Sequence, residues 1–277
     1  MNPIVKGALL VGALLVVGAG VVAGLRGTSP PGPEASPPTA EARPALTIAA
    51  ASDLKFALDE LLQDFRAKNP GADVRVTYGS SGNFLAQLSQ GAPFDVFLSA
   101  DVTYPRELVK QGLVEGEVFL YGVGRLVVWV PEGSPLPVDT QGLEALRSPA
   151  ARRIAIANPQ HAPYGRAAQA ALESQGLLPE LQERLVLGEN IAQTAQFVQS
   201  GNADAGLIAL ALALAPAMKQ AGHYVEVPLG AYPRMEQGGA LLKTAKDPAL
   251  ARRFRDTLLG AEGKALLRRY GFFLPGE

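Results

Sequence analysis

The chain has 277 residues, 48% of them hydrophobic, which is enough for two domains of ordinary size. Its 25 Lys and Arg against 26 Asp and Glu give a formal charge of −1, unchanged when residues 1–42 are set aside, so a nucleic-acid-binding surface is not favoured. With no cysteine, disulfides, Cys-ligated metals and a lipid-modified Cys anchor are excluded.

Lys6 precedes an uncharged run over 7–25, and Arg26 and a Pro/Ser/Ala-rich stretch follow as far as Pro44. This is the pattern of an export signal or uncleaved membrane anchor with a flexible linker, and residues 1–45 are assigned to it. Val22-Ala23-Gly24 and Ala40-Glu41-Ala42 both fit a small-x-small cleavage site.

Residues 47–51 then form a short apolar run that predicts a buried strand. Leu54, Ala57, Leu58, Leu61, Leu62 and Phe65 follow at steps of three and four, the spacing of an amphipathic helix. Ser52 stands between them as the natural N-cap, with free backbone N–H groups behind it that could hold an anion. Asp53, a carboxylate early in that helix, gains from the macrodipole while pointing to solvent. Turned inward, it would accept a proton from a protonated oxyanion and repel a dianion lacking one.

The device recurs. Val74-Arg75-Val76-Thr77-Tyr78 alternates like a strand, runs into Gly79-Ser80-Ser81-Gly82, and Phe84, Leu85 and Leu88 mark the next helix. Two such junctions at the carboxyl ends of parallel strands lie where open α/β sheets bind ligands. A further strand at 94–99 ends in Ala100-Asp101, with a helix over 102–111 closed by Gly112. Asp95 and Asp101 are candidate metal ligands by residue type, but with no His or Cys beside them Asp101 is better taken as an N-cap.

Leu126-Val127-Val128-Trp129-Val130 is a continuous apolar strand stopped by Pro131. Beyond it the pattern predicts a helix at 143–146, a strand at 153–157, a long loop over 158–165 and a helix over 166–175. A short strand at 185–187, a helix over 192–200, a strand at 203–208 and a helix over 209–221 continue the alternation. Strands at 224–228 and 239–242 and helices over 248–259 and 262–270 close the chain. Such alternation predicts an α/β fold of two lobes, each a mostly parallel sheet flanked by helices. Residues 46–126 with 230–277 would form the first lobe and 127–229 the second. Crossings near 126–130 and 226–229 would act as a hinge beside a cleft, with Trp129 placed to report closure.

Catalytic patterns are sparse. There is no Gly-x-Ser-x-Gly elbow and no Walker-type phosphate loop, and His161 and His223 are the only neutral-pH bases. His223 is expected in a solvent-facing turn, and Tyr121 and Tyr232 as packing or surface residues. A hydrolase using His161 and Tyr164 lacks a carboxylate positioned by sequence to orient that His. A cleft of small residues and backbone amides instead suits an ionised oxyanion, which neutral donors and helix dipoles can satisfy.

Ala49-Ala50-Ala51-Ser52, Gly79-Ser80-Ser81-Gly82, the stretch from Gly91-Ala92-Pro93-Phe94 to Ser99-Ala100-Asp101, Asn158-Pro159-Gln160-His161-Ala162-Pro163-Tyr164-Gly165 and Arg269-Tyr270-Gly271-Phe272 resemble, in order, the motifs of the periplasmic molybdate-binding proteins of ABC importers. The resemblance implies a two-lobe, type II periplasmic binding protein closing on molybdate or tungstate. It implies the hydroxyl and amide of Ser52 and of Ser81 as ligands from the first lobe, and the amides of Tyr164 and Ile191 from the second. Ala209, after Gly206-Leu207-Ile208, replaces a Tyr that many relatives use as a donor; a neighbouring amide, that of Asp53 for example, could supply the missing donor. It further implies no enzymatic activity and no cofactor, the metal being held as its oxyanion without side-chain coordination. An extracytoplasmic monomer is expected to hand its ligand to a membrane permease, tethered if residues 7–25 stay uncleaved. Sulfate or phosphate binding, and a tethered sensor that feeds no importer, are the alternatives.

Overall fold

The computed structural model describes residues 45–277. The expected export or anchor segment therefore lies outside the described residues, apart from Ala45. Among those described, no helix is long and apolar enough to cross a membrane.

Strand β1 (Ala45–Ala51) is followed by a 3-10 turn at Ser52–Leu54 and then by α1 (Lys55–Lys68). Ala57, Leu58, Leu61, Leu62 and Phe65 form the buried stripe of α1, and Phe65 meets Phe254 edge to face at 5.7 Å. Next come β2 (Asp73–Gly79), α2 (Ser81–Ser89), β3 (Val96–Ser99) and α3 (Thr103–Lys110). An unexpected strand follows, β4 (Val114–Gly124), whose first half carries Glu115, Gly116 and Glu117 and so lacks a clean apolar alternation.

The second set opens with β5 (Leu126–Pro131) and α4 (Val138–Gln141), then β6 (Ile154–Ala157), α5 (Pro163–Ser174) and α6 (Leu178–Leu181). It continues through β7 (Leu185–Gly188), α7 (Ile191–Gln199), β8 (Ala205–Ala209), α8 (Leu210–Ala213), α9 (Pro216–Ala221) and β9 (Gly222–Glu226). The chain ends in β10 (Met235–Leu242), α10 (Pro248–Leu259) and α11 (Ala261–Arg269).

Two five-stranded sheets result, ordered β2-β1-β3-β10-β4 and β7-β6-β8-β5-β9. In each, three parallel strands are followed by one antiparallel strand, β10 or β5, and a fifth that runs against it. Four of five strands in each sheet thus share a direction, the mostly parallel arrangement expected from the alternation.

The chain leaves the first sheet at Arg125 and returns to it between β9 and β10. Arg125 pairs with Glu226 at the end of β9 and lies over the Phe273 ring at 4.5 Å, so one side chain ties both crossings to the C-terminus.

Several local expectations are corrected. The single helix over 209–221 is broken into α8 and α9, because Pro216 holds Ala215 extended and supplies the N-terminal proline of a new helix. Ala209 is the last residue of β8 rather than a helical residue. Helix α5 starts at Pro163, so Tyr164 and Gly165 belong to its first turn and not to a loop. His223 is a strand residue opposite Val130 rather than part of a turn. Trp129 lies mid-strand in the second sheet, fully buried in that sheet's core, and is not a hinge residue.

Candidate functional site

The carboxyl end of β1 meets that of β2 on one side of a small cavity of about 10 Å3, and the first turns of α5 and α7 face them from the second sheet. Its walls are Ala51, Ser52, Asp53, Gly79, Ser80, Ser81 and Ala100 from the first lobe and Ala162, Pro163, Tyr164 and Ile191 from the second. All five residues singled out in the sequence, Ser52, Ser81, Tyr164, Ile191 and Asp53, are on that wall. None of the lining residues is a Lys, Arg or His.

Helices α2, α5 and α7 begin at Ser81, Pro163 and Ile191. The amides of Ser81, Tyr164 and Ile191 therefore fall among the first-turn donors that have no partner within their own helix. Partial positive charge from three helix ends converges on this space.

The two serines behave differently from simple caps. Ser52 makes no cap bond to its own turn. Its hydroxyl donates to Asn190 Oδ1 at 3.1 Å and accepts from the Ala192 amide at 3.3 Å, reaching across to the start of α7. Asn190 is itself the N-cap of α7, accepting from the Ala192 and Gln193 amides. Ser81 Oγ accepts from the Ala100 amide at 3.0 Å, which leaves its hydroxyl hydrogen free to donate.

Asp53 is the principal correction. Instead of pointing to solvent it is 1% exposed, and its Oδ2 accepts from Tyr164 Oη at 3.0 Å and from Gln237 Nε2 at 2.6 Å. Oδ1 is buried without a hydrogen-bond partner. Burial pushes the carboxyl up from 3.8 to about 6, with the bonds from Gln237 and Tyr164 and the nearby Asp53 and Leu54 amides opposing the rise. The Tyr164 hydroxyl is pushed well above its ordinary value by burial and by the nearby Asp53 charge, so it acts as a donor.

Gln237, fully buried in β10, was not singled out from sequence. A glutamine in a strand of Gly, Ala and Leu was the available signal, but the predicted strand began two residues too late to include it.

Around the cavity, side chains fasten the lobes together. Ser80 Oγ lies 2.8 Å from His161 Nδ1, the Gly82 amide donates to the His161 carbonyl at 2.9 Å, and Asn83 Nδ2 donates to Glu189 Oε1. His161 thus sits at the interface, with Glu189 Oε2 at 3.7 Å from Nε2. Asp101 Oδ1 accepts from the Thr103 amide at the start of α3, and its Oδ2 pairs with Arg166 of α5 at 2.7 Å. Asp95 accepts from Thr47 and from the Lys246 amide, a staple between strand and loop. Tyr121 and Tyr232 are buried, their hydroxyls bonded to the Ser99 carbonyl and the Leu126 amide. Beside the cavity, sharing Ala100 and Pro163 with it, a groove of about 650 Å3 is lined by Arg106, Arg166 and Arg234.

Residues 46–273 match the profile of the bacterial extracellular solute-binding protein family. The molybdate-binding protein ModA of Azotobacter vinelandii is 36% identical over 82% of this chain and 89% of its own. The protein of the same name from Rhodobacter capsulatus is 37% identical over 73% and 78%. The solved periplasmic molybdate-binding protein of Azotobacter vinelandii superposes with a TM-score of 0.77 at 36% identity, covering 83% of this chain and 99% of that one. The chain belongs to the bacterial extracellular solute-binding proteins and, among them, groups with the periplasmic molybdate-binding proteins.

Proposed function

We propose that this protein is an extracytoplasmic solute-binding protein that captures molybdate, and tungstate with it, between its lobes and delivers the ion to an ABC permease. The observation that carries this reading is the compact cavity walled by Ser52, Asp53, Ser81, Tyr164 and Ile191 from both lobes, with no cationic side chain on its wall. A tetrahedral dianion presents acceptor oxygens in every direction, and a shell of amides and hydroxyls answers each without fixing a counter-charge. The names of the relatives support molybdate as the ion. The Ser81 hydroxyl and the first-turn amides of Tyr164 and Ile191 are the expected donors. The Ser52 hydroxyl already donates to Asn190, so Ser52 contributes through its amide, with the Asp53 amide in place of the Tyr that Ala209 replaces.

In this reading residues 46–126 and 230–277 move as one lobe and 127–229 as the other, hinged at the two crossings. Closure and capture are one event, since the contacts of Ser52 with Asn190 and of Tyr164 with Asp53 exist only when the lobes meet. The protein works as a monomer, outside the cytoplasm, without covalent chemistry or cofactor.

Titration of the purified protein with molybdate, tungstate, sulfate and phosphate, followed by calorimetry and thermal shift, tests the proposal. A ligand at a thousandfold excess over its dissociation constant stabilises the fold by about 4 kcal/mol. Molybdate and tungstate are expected to do so and sulfate and phosphate to fall well short. A response to phosphate or sulfate alone overturns the assignment.

A further inference from the structure

We propose that Asp53 makes oxyanion capture proton-coupled: the protein takes up one proton with each dianion, and the Asp53 carboxyl holds that proton as a donor in the occupied site. The inference rests on the oxyanion reading above and assigns its pH control.

The geometry narrows what the carboxyl can do. Tyr164 Oη and Gln237 Nε2 both donate to Oδ2, so that oxygen is committed as an acceptor. Oδ1 is left buried and unpartnered in a residue that lines the cavity. An ionised carboxylate there would face a dianion at close range, with no Lys, Arg or His among the lining residues to offset either charge. A proton on Oδ1 removes the repulsion and converts the one unsatisfied acceptor into a donor. No covalent bond changes: one hydron moves from solvent to Oδ1 as the ion leaves solvent for the cavity.

The groups packed around the carboxyl leave it the titrating member. Tyr164 of α5 and Tyr121 of β4 are buried and held protonated, and Gln237 of β10 does not titrate. Lys55, two residues along, is directed to Asp59 at 2.9 Å, with nearly half of its side chain in solvent. His161 and Glu189 lie one step away, behind Ser80. With the lobes closed the carboxyl already sits near 6, within reach of a modest further rise when a negative guest is held.

The test is molybdate affinity from about pH 6.5 to 8.5 for the full chain and for Asp53→Asn, together with calorimetry in two buffers of different ionisation heat. An Asn can accept from Tyr164 and Gln237 through its oxygen and place Nδ2, a fixed donor, at the free position. The unaltered protein is expected to lose up to about tenfold in affinity per pH unit and to take up close to one proton per ion. Asp53→Asn is expected to lose that slope, and comparing the two proteins cancels pH effects common to both. Equal slopes in both proteins overturn the proposal. So does a flat profile without proton uptake in the unaltered protein, a result that stands even if the variant does not fold. If molybdate binds the unaltered protein at no pH, the oxyanion reading itself fails, and the coupling with it.

Discussion

Tyr164 Oη donates to Asp53 Oδ2 at 3.0 Å, joining the first turn of α5 in one lobe to the turn after β1 in the other. Gln237 Nε2 closes the triangle, 2.6 Å from the same carboxylate oxygen and 3.3 Å from the tyrosine oxygen. All three side chains are buried. A carboxylate that repels the expected guest is thus also the anchor of lobe closure, and the two roles separate by mutation.

Tyr164→Phe removes the interlobe donor and little volume. With the carboxyl protonated in the occupied site, loss of this neutral hydrogen bond costs about 0.5–1.5 kcal/mol. Molybdate affinity at neutral pH is expected to fall by about twofold to tenfold. Calorimetry against the unaltered protein checks this, and an unchanged dissociation constant would show that the bond is not used in the occupied state.

The raised carboxyl of Asp53 also governs the stability of the closed fold. Its folded-state value of about 6 lies above the 3.8 of a free side chain, so folding favours the protonated form. That stability is fully present below about pH 4 and is lost as pH rises through about 6, amounting to about 3 kcal/mol by neutral pH. Asp53→Asn is therefore expected to melt higher than the unaltered protein at pH 7.5, with the gap narrowing toward pH 4.5. Parallel melting curves across that range would contradict a buried, titrating carboxyl.

The alternation of apolar runs and amphipathic spacing made both lobes visible in the sequence, and the hydroxyl residues after β1 and β2 marked the cavity wall. What stayed hidden depends on partners far along the chain. Ser52 looked like a local cap because its actual partner, Asn190, is 138 positions away. Asp53 looked solvent-facing because helix dipole arguments are local, whereas its burial depends on Tyr164 and Gln237 from other elements. β4 escaped notice because its first half carries Glu115 and Glu117, and only pairing with β10 makes it a strand. Trp129, expected to sense closure, is enclosed by β8 and β9 on either side, and its fluorescence is expected to respond weakly to ligand.

Ser81→Ala tests a donor that also has a structural duty. Ser81 Oγ accepts from the buried Ala100 amide, and truncation leaves that amide unpartnered at about 1–3 kcal/mol. The empty protein is expected to melt lower, and molybdate affinity to fall by about a decade or more beyond that. A loss of stability with undiminished affinity would remove Ser81 from the set of ligands.

Gly82→Ala separates folding from closure. A Cβ at Gly82 would stand 2.6 Å from the carbonyl oxygen and 2.9 Å from the Cα of His161, both backbone atoms of the opposite lobe. Within its own lobe Gly82 is a residue of α2, where Ala is the better helix former by about 1 kcal/mol. The substitution is therefore expected to leave the empty protein's melting temperature unchanged or slightly raised while holding the lobes apart, enlarging the radius of gyration in solution scattering with molybdate present and weakening molybdate by about tenfold or more. Gly165→Ala provides the contrast, because its Cβ would meet the Ala157 carbonyl at 2.1 Å within one lobe and should lower the melting temperature directly. If Gly82→Ala binds as tightly as the unaltered protein, the His161 loop yields without cost, and closure does not depend on the close approach of these two backbones.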